Sequence, residues 1–259
     1  MSWLRRGWEV FAPEPSVAAW VAAAKGPALE AAADQPRSHG GTWCVGVDAL
    51  GNDAQGRVAD GSALDGPVLG GKALDQAVAA TGVRRVHRAQ ISVTYPGYPG
   101  RDAHESDANH RFRRDRDAAH LDGLLPVGPE KRRHLHEPHA WILGIALTRA
   151  DANAAPLVVW EGSHGVIRRA FTAAFAGIAP EAWAGRDVTE VYKAARSDVF
   201  KVCPRIEVPL QPGESVLLHR MAIHGVAPWA EGAKAAPEGR AIAYFRPCFD
   251  DPARWLSAP

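Results

Sequence analysis

Apolar residues in the first third of the chain follow a helical pattern, whereas the later part consists of short apolar runs. Residues 14–33 are rich in alanine and predict a helix, and residues 73–80 predict a second one. Between these helices, residues 51–71 are rich in glycine and lack apolar periodicity, which predicts an irregular excursion across the surface. We expect this helical N-terminal part, about residues 1–82, to buttress another structure.

The pattern changes at residue 83, where short β-type runs begin. Residues 83–95 are rich in Val, Ile, Thr and Tyr and predict a strand that a Pro-Gly turn ends. Residues 139–147 are almost continuously apolar, which predicts a strand covered on both faces. A helix is predicted at 165–176, and further strands are predicted at 156–160, 205–210, 214–219, 222–227 and 240–246.

Helices followed by short, regularly spaced strands predict an α+β chain. We expect a two-sheet jelly roll, the double-stranded β-helix or cupin-like barrel, over about residues 83–250, with the N-terminal helices against it. A length of 259 residues fits a single domain, and 46% hydrophobic residues indicate a globular protein with a sizeable core. Such barrels bind small molecules in their open mouth.

Charge and cysteine content narrow the possible partners and location. The net charge is +1, so nothing indicates a nucleic-acid or anionic membrane partner, and we expect a small-molecule substrate. No apolar run reaches the ~20 residues of a membrane span, and no signal-peptide pattern opens the chain. Three scattered cysteines without a CxxC pair fit a cytoplasmic protein. Oligomeric state is left open.

Residues 101–119 contain five arginines, five acidic residues and few apolar ones. They cannot form a core segment. Two alternatives remain open here, a solvated run of charges and a mobile loop above an opening.

The first candidate for chemistry is the segment Ala119-His120-Leu121-Asp122-Gly123. In an extended chain, positions i and i+2 point the same way, so the His120 imidazole and the Asp122 carboxylate can hold one metal ion. A His-x-Asp pair is weak evidence alone. A second histidine from far along the chain would complete a two-His, one-carboxylate facial triad, which leaves positions on ferrous iron open.

The order of five motifs resembles the phytanoyl-CoA dioxygenase family of 2-oxoglutarate oxygenases over residues 83–247. The resemblance selects His224 as the distal ligand, and it places His219 at an inner-strand position with a packing or outer-shell role. The motifs are HLDG at 120–123, AWILGIAL at 140–147, VVWEGSH at 158–164, GESVLLHRMAIHGVAPW at 213–229 and GRAIAYFRP at 239–247.

The resemblance implies an iron(II) enzyme that uses 2-oxoglutarate and O2 and hydroxylates a small molecule, with release of succinate and CO2. Asp122 favours hydroxylation, because related halogenases lack this carboxylate. Arg240 matches the family's 2-oxoglutarate-binding position, with Arg246 as the competitor on the same strand face. Gln90 and Trp141 are either cosubstrate contacts or an ordinary strand residue and a core aromatic.

Two rival functions remain open at this point. One is a cupin-like metalloenzyme that has the same ligands but does not use 2-oxoglutarate. An Arg240 side chain that points away from the metal would favour this alternative. The other is a non-catalytic jelly-roll binding module. Substrate identity is open, and so are the roles of the histidines at 134, 136 and 139.

Overall fold

The computed structural model describes residues 1–59 and 64–259. Residues 60–63 belong to the stretch 51–71 for which the sequence predicts a surface excursion, and that part of the prediction lies outside the described residues. The remainder of this stretch contains turns and irregular backbone without a helix or strand, as predicted.

Helices occupy both the N-terminal part and the second half of the chain. Within the described residues they are α1 (Ser2–Arg6), α2 (Pro15–Ala33), α3 (Lys72–Thr81), α4 (Asp107–Asp115), α5 (Ser163–Ala174), α6 (Thr189–Val202) and α7 (Arg254–Ser257), with a 3-10 turn at Pro180–Gly185. No helix in the part of the chain described here has the length and hydropathy needed to cross a membrane.

Every strand pair is antiparallel. The strands are β1 (Trp8–Phe11), β2 (Arg37–Ser38), β3 (Trp43–Gly46), β4 (Gln90–Thr94), β5 (Leu124–Val127), β6 (Arg132–Leu135), β7 (Ile142–Ala146), β8 (Leu157–Trp160), β9 (Arg205–Val208), β10 (Ser215–Leu218), β11 (His224–Val226) and β12 (Arg240–Phe245). They form a seven-stranded sheet in the order β1-β10-β7-β12-β4-β3-β2, a three-stranded sheet in the order β11-β8-β9, and the hairpin β5-β6.

The two faces of the seven-stranded sheet bury different clusters. Strand residues alternate between faces, so Ala243 and Phe245 of β12 pack against the helical layer, where Phe245 meets Trp20 of α2 with ring centroids 5.5 Å apart. Ile242 packs on the other face with Leu157 and other residues of β8. The inward face of β12 therefore lies between the two sheets, where Arg240 also resides.

The predicted strands mostly appear, with shorter bounds. β7 is buried at all five positions, as predicted for 139–147. The prediction for 83–95 is wrong at 83–89, because loop residues take the hydrogen bonds of this backbone: the Asn52 side chain accepts from Ala89 N, and Ala54 O accepts from Val86 N. Strands β1, β2 and β3, which join the large sheet from within residues 1–82, were not predicted.

The charged segment 101–119 contains the short helix α4, which no apolar pattern indicated. The Ser106 hydroxyl accepts a hydrogen bond from Asn109 N and so caps the helix start. None of the α4 residues is fully buried, in agreement with the expectation that this segment is not part of the core. Phe112 and Arg113 of α4 line the large cavity between the sheets.

Candidate metal centre

His120 and His224 lie side by side because their backbones pair. His120 N donates to His224 O at 2.8 Å, and His224 N donates to His120 O at 3.1 Å, which forms an isolated antiparallel bridge between residue 120 and β11. Gly225 permits this close approach, since a Cβ at that position would stand 2.1 Å from the Asp117 carbonyl oxygen. The two imidazole centroids are 4.6 Å apart.

The residues immediately before His120 adopt an unusual backbone. Asp117 and Ala118 both have positive φ values, 54° and 52°, in the left-handed region that L-residues other than Asn and Asp seldom occupy. The buried Asp117 carboxylate holds this turn through a two-pronged ion pair with Arg205, at 2.7 and 2.8 Å. Val226 N also donates to Asp117 O at 2.8 Å. The strained turn is thereby fixed against both β9 and β11.

Three side chains converge at this bridge. The ligand atoms of His120, Asp122 and His224 all lie within 4.8 Å of one another. Asp122 lies between the two histidines, with Oδ1 3.2 Å from His120 Nε2 and Oδ2 3.7 Å from His224 Nε2. Donors about 2.1 Å from one metal ion and at right angles stand roughly 3 Å apart, so these spacings suit a shared cation.

Backbone carbonyls determine which ring nitrogen faces the centre. His120 Nδ1 lies 3.0 Å from Ala118 O, and His224 Nδ1 lies 2.9 Å from Ala222 O. A carbonyl oxygen only accepts, so each Nδ1 carries a proton, and Nε2 is the nitrogen that faces the centre, where it offers a lone pair when the ring is neutral. This outer hydrogen bond orients metal-binding histidines generally.

The charges of the centre favour an ionised carboxylate. Burial raises the pKa of Asp122, but His224, the hydrogen bond with His120 and the nearby Arg246 outweigh it and hold the pKa well below the usual range. Burial and the neighbouring His120 lower the pKa of His224 to about 4. Burial also opposes protonation of His120, yet the contact with Asp122 raises its pKa. The centre thus holds an anionic carboxylate beside a neutral His224.

The two candidate arginines, Arg240 at the start of β12 and Arg246 directly after its end, occupy different places. Arg246 lines the cavity, with Nη1 3.3 Å from Asp122 Oδ2. Arg240 is 4% exposed, is not among the residues that line the cavity, and stands directly opposite Thr94 of β4. Arg240 Nη2 and Thr94 Oγ1 are buried and have no hydrogen-bond partner among the described residues. Burial raises the pKa of Tyr244, and the positive charge of Arg240 opposes this rise.

Gln90 and Trp141, the two further candidates for cosubstrate contact, lie in different surroundings. Gln90 begins β4 opposite Tyr244 and lines the cavity together with the three converging side chains. Trp141 is fully buried in the helical-side core, and its Nε1 donates to Val83 O at 3.1 Å. The structure therefore places Trp141 as a core aromatic outside the cavity lining.

The other histidines lie apart from the triad. His219 is buried against Trp3 and His164, where its Nδ1 accepts from Met221 N and its Nε2 contacts Arg168. His134 and His136 pack edge to face near the Pro180–Gly185 turn, where His134 Nδ1 contacts Ala184 O at 3.0 Å. His139 is buried between Glu137 and Cys248.

Three features near the site were not predicted from the sequence, because they depend on which residues the fold brings together. Thr94 was not a candidate, because only the register between β4 and β12 places it opposite Arg240. The pair of Asp117 and Arg205 joins residues 88 positions apart. Tyr244 carried one signal, since it shares a strand face with Arg240 by alternation.

No protein-family model matches the chain, and a search of curated proteins finds no significant match. Among solved structures, the non-heme alpha ketoglutarate dependent carbocyclase SnoK from nogalamycin biosynthesis has a TM-score of 0.51 at 19% identity, over 95% of this chain and 81% of that chain. The epimerase SnoN from nogalamycin biosynthesis has a TM-score of 0.47 at 16% sequence identity, over 95% of this chain and 80% of that chain. AviO1 from Streptomyces viridochromogenes Tue57 has a TM-score of 0.45 at 17% sequence identity, over 96% of this chain and 93% of that chain. The likeness to SnoK shows a shared fold.

The Arg205→Gln substitution tests whether the ion pair with Asp117 holds the strained turn. Removal of the guanidinium leaves a buried carboxylate without its charged partner, and we expect a loss of about 1–3 kcal/mol in the free energy of unfolding. Urea denaturation measures this loss. Arg169→Gln, at an exposed position of α5, is the matched control and should change stability by less than about 0.5 kcal/mol. Equal stability of both variants would contradict the role given to Arg205.

The Gly225→Ala substitution tests the close approach at the bridge. The new methyl group would overlap the Asp117 carbonyl, so we expect residues 117–120 to move away from β11 and the affinity for divalent metal to fall by at least about tenfold. Titration calorimetry with Mn2+ measures the affinity. Gly26→Ala is the control, because a Cβ there meets nothing within 4 Å. Unchanged metal affinity in Gly225→Ala would show that the bridge does not set the ligand spacing.

Proposed function

We propose that the chain is an Fe(II)- and 2-oxoglutarate-dependent oxygenase that acts on a small molecule. The observation that carries this proposal is the convergence of one carboxylate and two imidazoles within 4.8 Å at the wall of a large cavity. A two-His, one-carboxylate set on one side of an ion leaves its other positions open, which is typical of non-haem iron oxygenases.

The donor set fits ferrous iron. Both Nδ1 atoms are engaged by carbonyls, so His120 and His224 offer Nε2 lone pairs, and the low pKa of Asp122 keeps its carboxylate ionised. A mixed set of nitrogen and oxygen donors suits a first-row transition metal, whereas Ca2+ and Mg2+ favour oxygen alone. We infer that His120, Asp122 and His224 are the ligands.

A buried cation with free donors supports 2-oxoglutarate as cosubstrate. Arg240 and Thr94 are opposite each other in the register of adjacent strands, and Arg240 Nη2 and Thr94 Oγ1 are buried without partners in the described part of the chain. A guanidinium binds a carboxylate through two parallel hydrogen bonds, and a hydroxyl adds a third donor. We infer that this pair receives the far carboxylate of 2-oxoglutarate, with Gln90 as a further contact at the cavity wall.

The residues of the site would have different roles in the reaction. Bound iron with 2-oxoglutarate supplies the activation of O2, with release of succinate and CO2. His120, Asp122 and His224 would hold the metal, while Arg240 and Thr94 would orient the cosubstrate. Arg246, whose Nη1 lies 3.3 Å from Asp122 Oδ2, holds this carboxylate in place. The protein contributes ligation, orientation and exclusion of water.

The finer assignments rest on the sequence motifs. The order from HLDG to GRAIAYFRP supports hydroxylation by an enzyme of the phytanoyl-CoA dioxygenase kind. The inner cluster between a seven-stranded and a three-stranded antiparallel sheet supports a double-stranded β-helix within one domain. We further propose a cytoplasmic location, for which the scattered cysteines are the support.

The Asp122→Ala substitution removes the only carboxylate of the proposed ligand set. We expect iron affinity to fall by more than the roughly 10–100-fold that loss of an outer-shell hydrogen bond costs. Iron content after anaerobic loading and desalting measures the effect. Succinate released from 2-oxoglutarate should disappear with it. Asp198→Ala, on the exposed face of α6, is the control and should load iron like the natural sequence.

The same experiment separates the rival functions. If the unsubstituted protein takes up no iron, the binding-module alternative gains. If it takes up iron but 2-oxoglutarate neither binds nor is decarboxylated, a cupin-like metalloenzyme without this cosubstrate is the better account. Full iron loading by Asp122→Ala would contradict the ligand assignment itself.

The Arg240→Gln substitution tests the cosubstrate site. Loss of a charged, two-pronged contact should weaken 2-oxoglutarate binding by about 10–100-fold. Anaerobic titration calorimetry of iron-loaded protein with 2-oxoglutarate measures this. Thr94→Val should weaken binding by less, because a neutral hydrogen bond contributes less than a charged one. An unchanged dissociation constant in Arg240→Gln, together with a large rise in Arg246→Gln, would transfer the role to Arg246.

A further inference from the structure

The cavity of about 790 Å3 beside the triad has two chemically different regions. One is apolar and aromatic, with Trp43, Val45, Tyr98 and Phe112 among its lining residues. The other is formed by hairpin β5-β6 and helix α6, and it is rich in cations: Lys131, Arg132, Arg133, Lys193 and Arg196. A whole-protein charge of +1 gives no hint of this local excess.

Carboxylates neutralise only some of these cations. Arg132 pairs with Asp187 at 2.7 Å and with Glu190 at 3.3 Å, and Lys193 pairs with Glu190 at 3.2 Å. Arg133 and Arg196 have no carboxylate within 4 Å in the part of the chain that the structure describes. Lys131 also lacks one, but it is exposed and its charge is screened by solvent.

Hydrogen bonds from Nη1 hold the Arg196 guanidinium beside the proposed metal ligands, and its other N–H donors have no partner within the described part of the chain. Its Nη1 donates to Ala119 O at 3.1 Å and lies 3.4 Å from the Tyr192 hydroxyl, so the guanidinium is fixed next to the residue that precedes His120. Its carbon lies 4.6 Å from the Phe112 ring centroid and 5.0 Å from that of Tyr192. Nε and Nη2 have no protein partner among the described residues, and a guanidinium has five N–H donors.

Arg133 is fixed in a similar way from the hairpin. Its Nη1 donates to Leu124 O at 3.2 Å, and its backbone N donates to Thr189 Oγ1 at 2.7 Å, which ties β6 to the start of α6. The carboxylates that line the cavity apart from Asp122 are Glu130, which is exposed, and Glu137, which contacts His139 Nε2 at 3.4 Å. Neither of them neutralises the two arginines.

We propose that the substrate is an organic anion, with a carboxylate or phosphate group bound by Arg196 and Arg133 and an apolar or aromatic body against Trp43, Tyr98 and Phe112. This inference deepens the proposed oxygenase function and rests on it. Preorganised, partly buried guanidinium groups form strong hydrogen bonds with planar anions, because little rotamer freedom is lost on binding. The aromatic region adds area for an apolar body.

Three probes that share a naphthyl body test the proposal: 1-naphthaleneacetate, its isosteric neutral amide 1-naphthaleneacetamide, and 1-naphthyl phosphate. Titration calorimetry of the full chain is carried out twice, without metal and with Fe(II) and 2-oxoglutarate under nitrogen. We expect each anion to bind at least about tenfold more tightly than the amide, which is the factor that one charge-assisted hydrogen bond supplies. The tighter of the two anions identifies the head group.

Variants then locate the charge that is responsible. Arg196→Gln and Arg133→Gln should each reduce anion affinity by about tenfold and leave the amide unchanged. Arg196→Lys keeps a positive charge and should keep most of the preference, which separates charge from packing. Lys193→Gln is the matched control, because this residue lines the same cavity but is already paired with Glu190.

The outcomes are distinguishable from failure of the oxygenase proposal. The metal-free titration reports the preference for anions whether or not iron binds, and iron uptake is recorded separately. Equal binding of amide and anions, no binding of any probe, or a preference that survives both arginine substitutions would overturn the inference. A preference that is present with a protein that takes up no iron would retain the anion site and reject the oxygenase.

Discussion

The ion pair between Arg205 and the buried Asp117 carboxylate holds the one segment on which the whole centre depends. Asp117 and Ala118 occupy the left-handed backbone region in succession, and at Ala118 this costs about 1–3 kcal/mol. That conformation directs the Ala118 carbonyl to His120 Nδ1 and brings residue 120 into register with His224. The anchor on β9 adds to the backbone contacts with β11 that keep this turn in place. Strain stored in the chain is thus used to position a donor atom.

Charge balance imposes a second constraint on the centre. A buried carboxylate is unfavourable unless cations or hydrogen-bond donors surround it, and Asp122 has two imidazoles and Arg246 within 4 Å. Both histidines donate a hydrogen bond from Nδ1 to a carbonyl, so once Nε2 of each ring is deprotonated, two lone pairs and a negative charge face the space between the three side chains. Such a set is repulsive by itself and is stabilised by a positive ion at its centre.

Local spacing allowed part of this centre to be predicted. His120 and Asp122 are two residues apart, so an extended segment would orient both side chains to the same side. The pairing of Thr94 with Arg240 could not be predicted from the sequence, because it depends on the register of two strands almost 150 residues apart. Strands β1 and β3 escaped prediction for a related reason: four-residue segments have too little alternation to distinguish them from loops. Helix α6, whose exposed face carries many charges, was missed although it forms one wall of the cavity.

The inward face of β12 links the fold to the chemistry. Alternation places Arg240, Ile242 and Tyr244 on one side of the strand, between the two sheets. Gly144 of the neighbouring strand leaves room for the Tyr244 ring, since a Cβ there would stand 2.7 Å from Cε1. A core that needed only packing would put another aliphatic residue in place of Arg240, because a buried guanidinium with free donors destabilises the empty protein. Burial itself lowers the pKa of Arg240, which reflects the same cost. A bound carboxylate would offset that cost, which is the physical reason to expect an acid-binding site at this buried arginine.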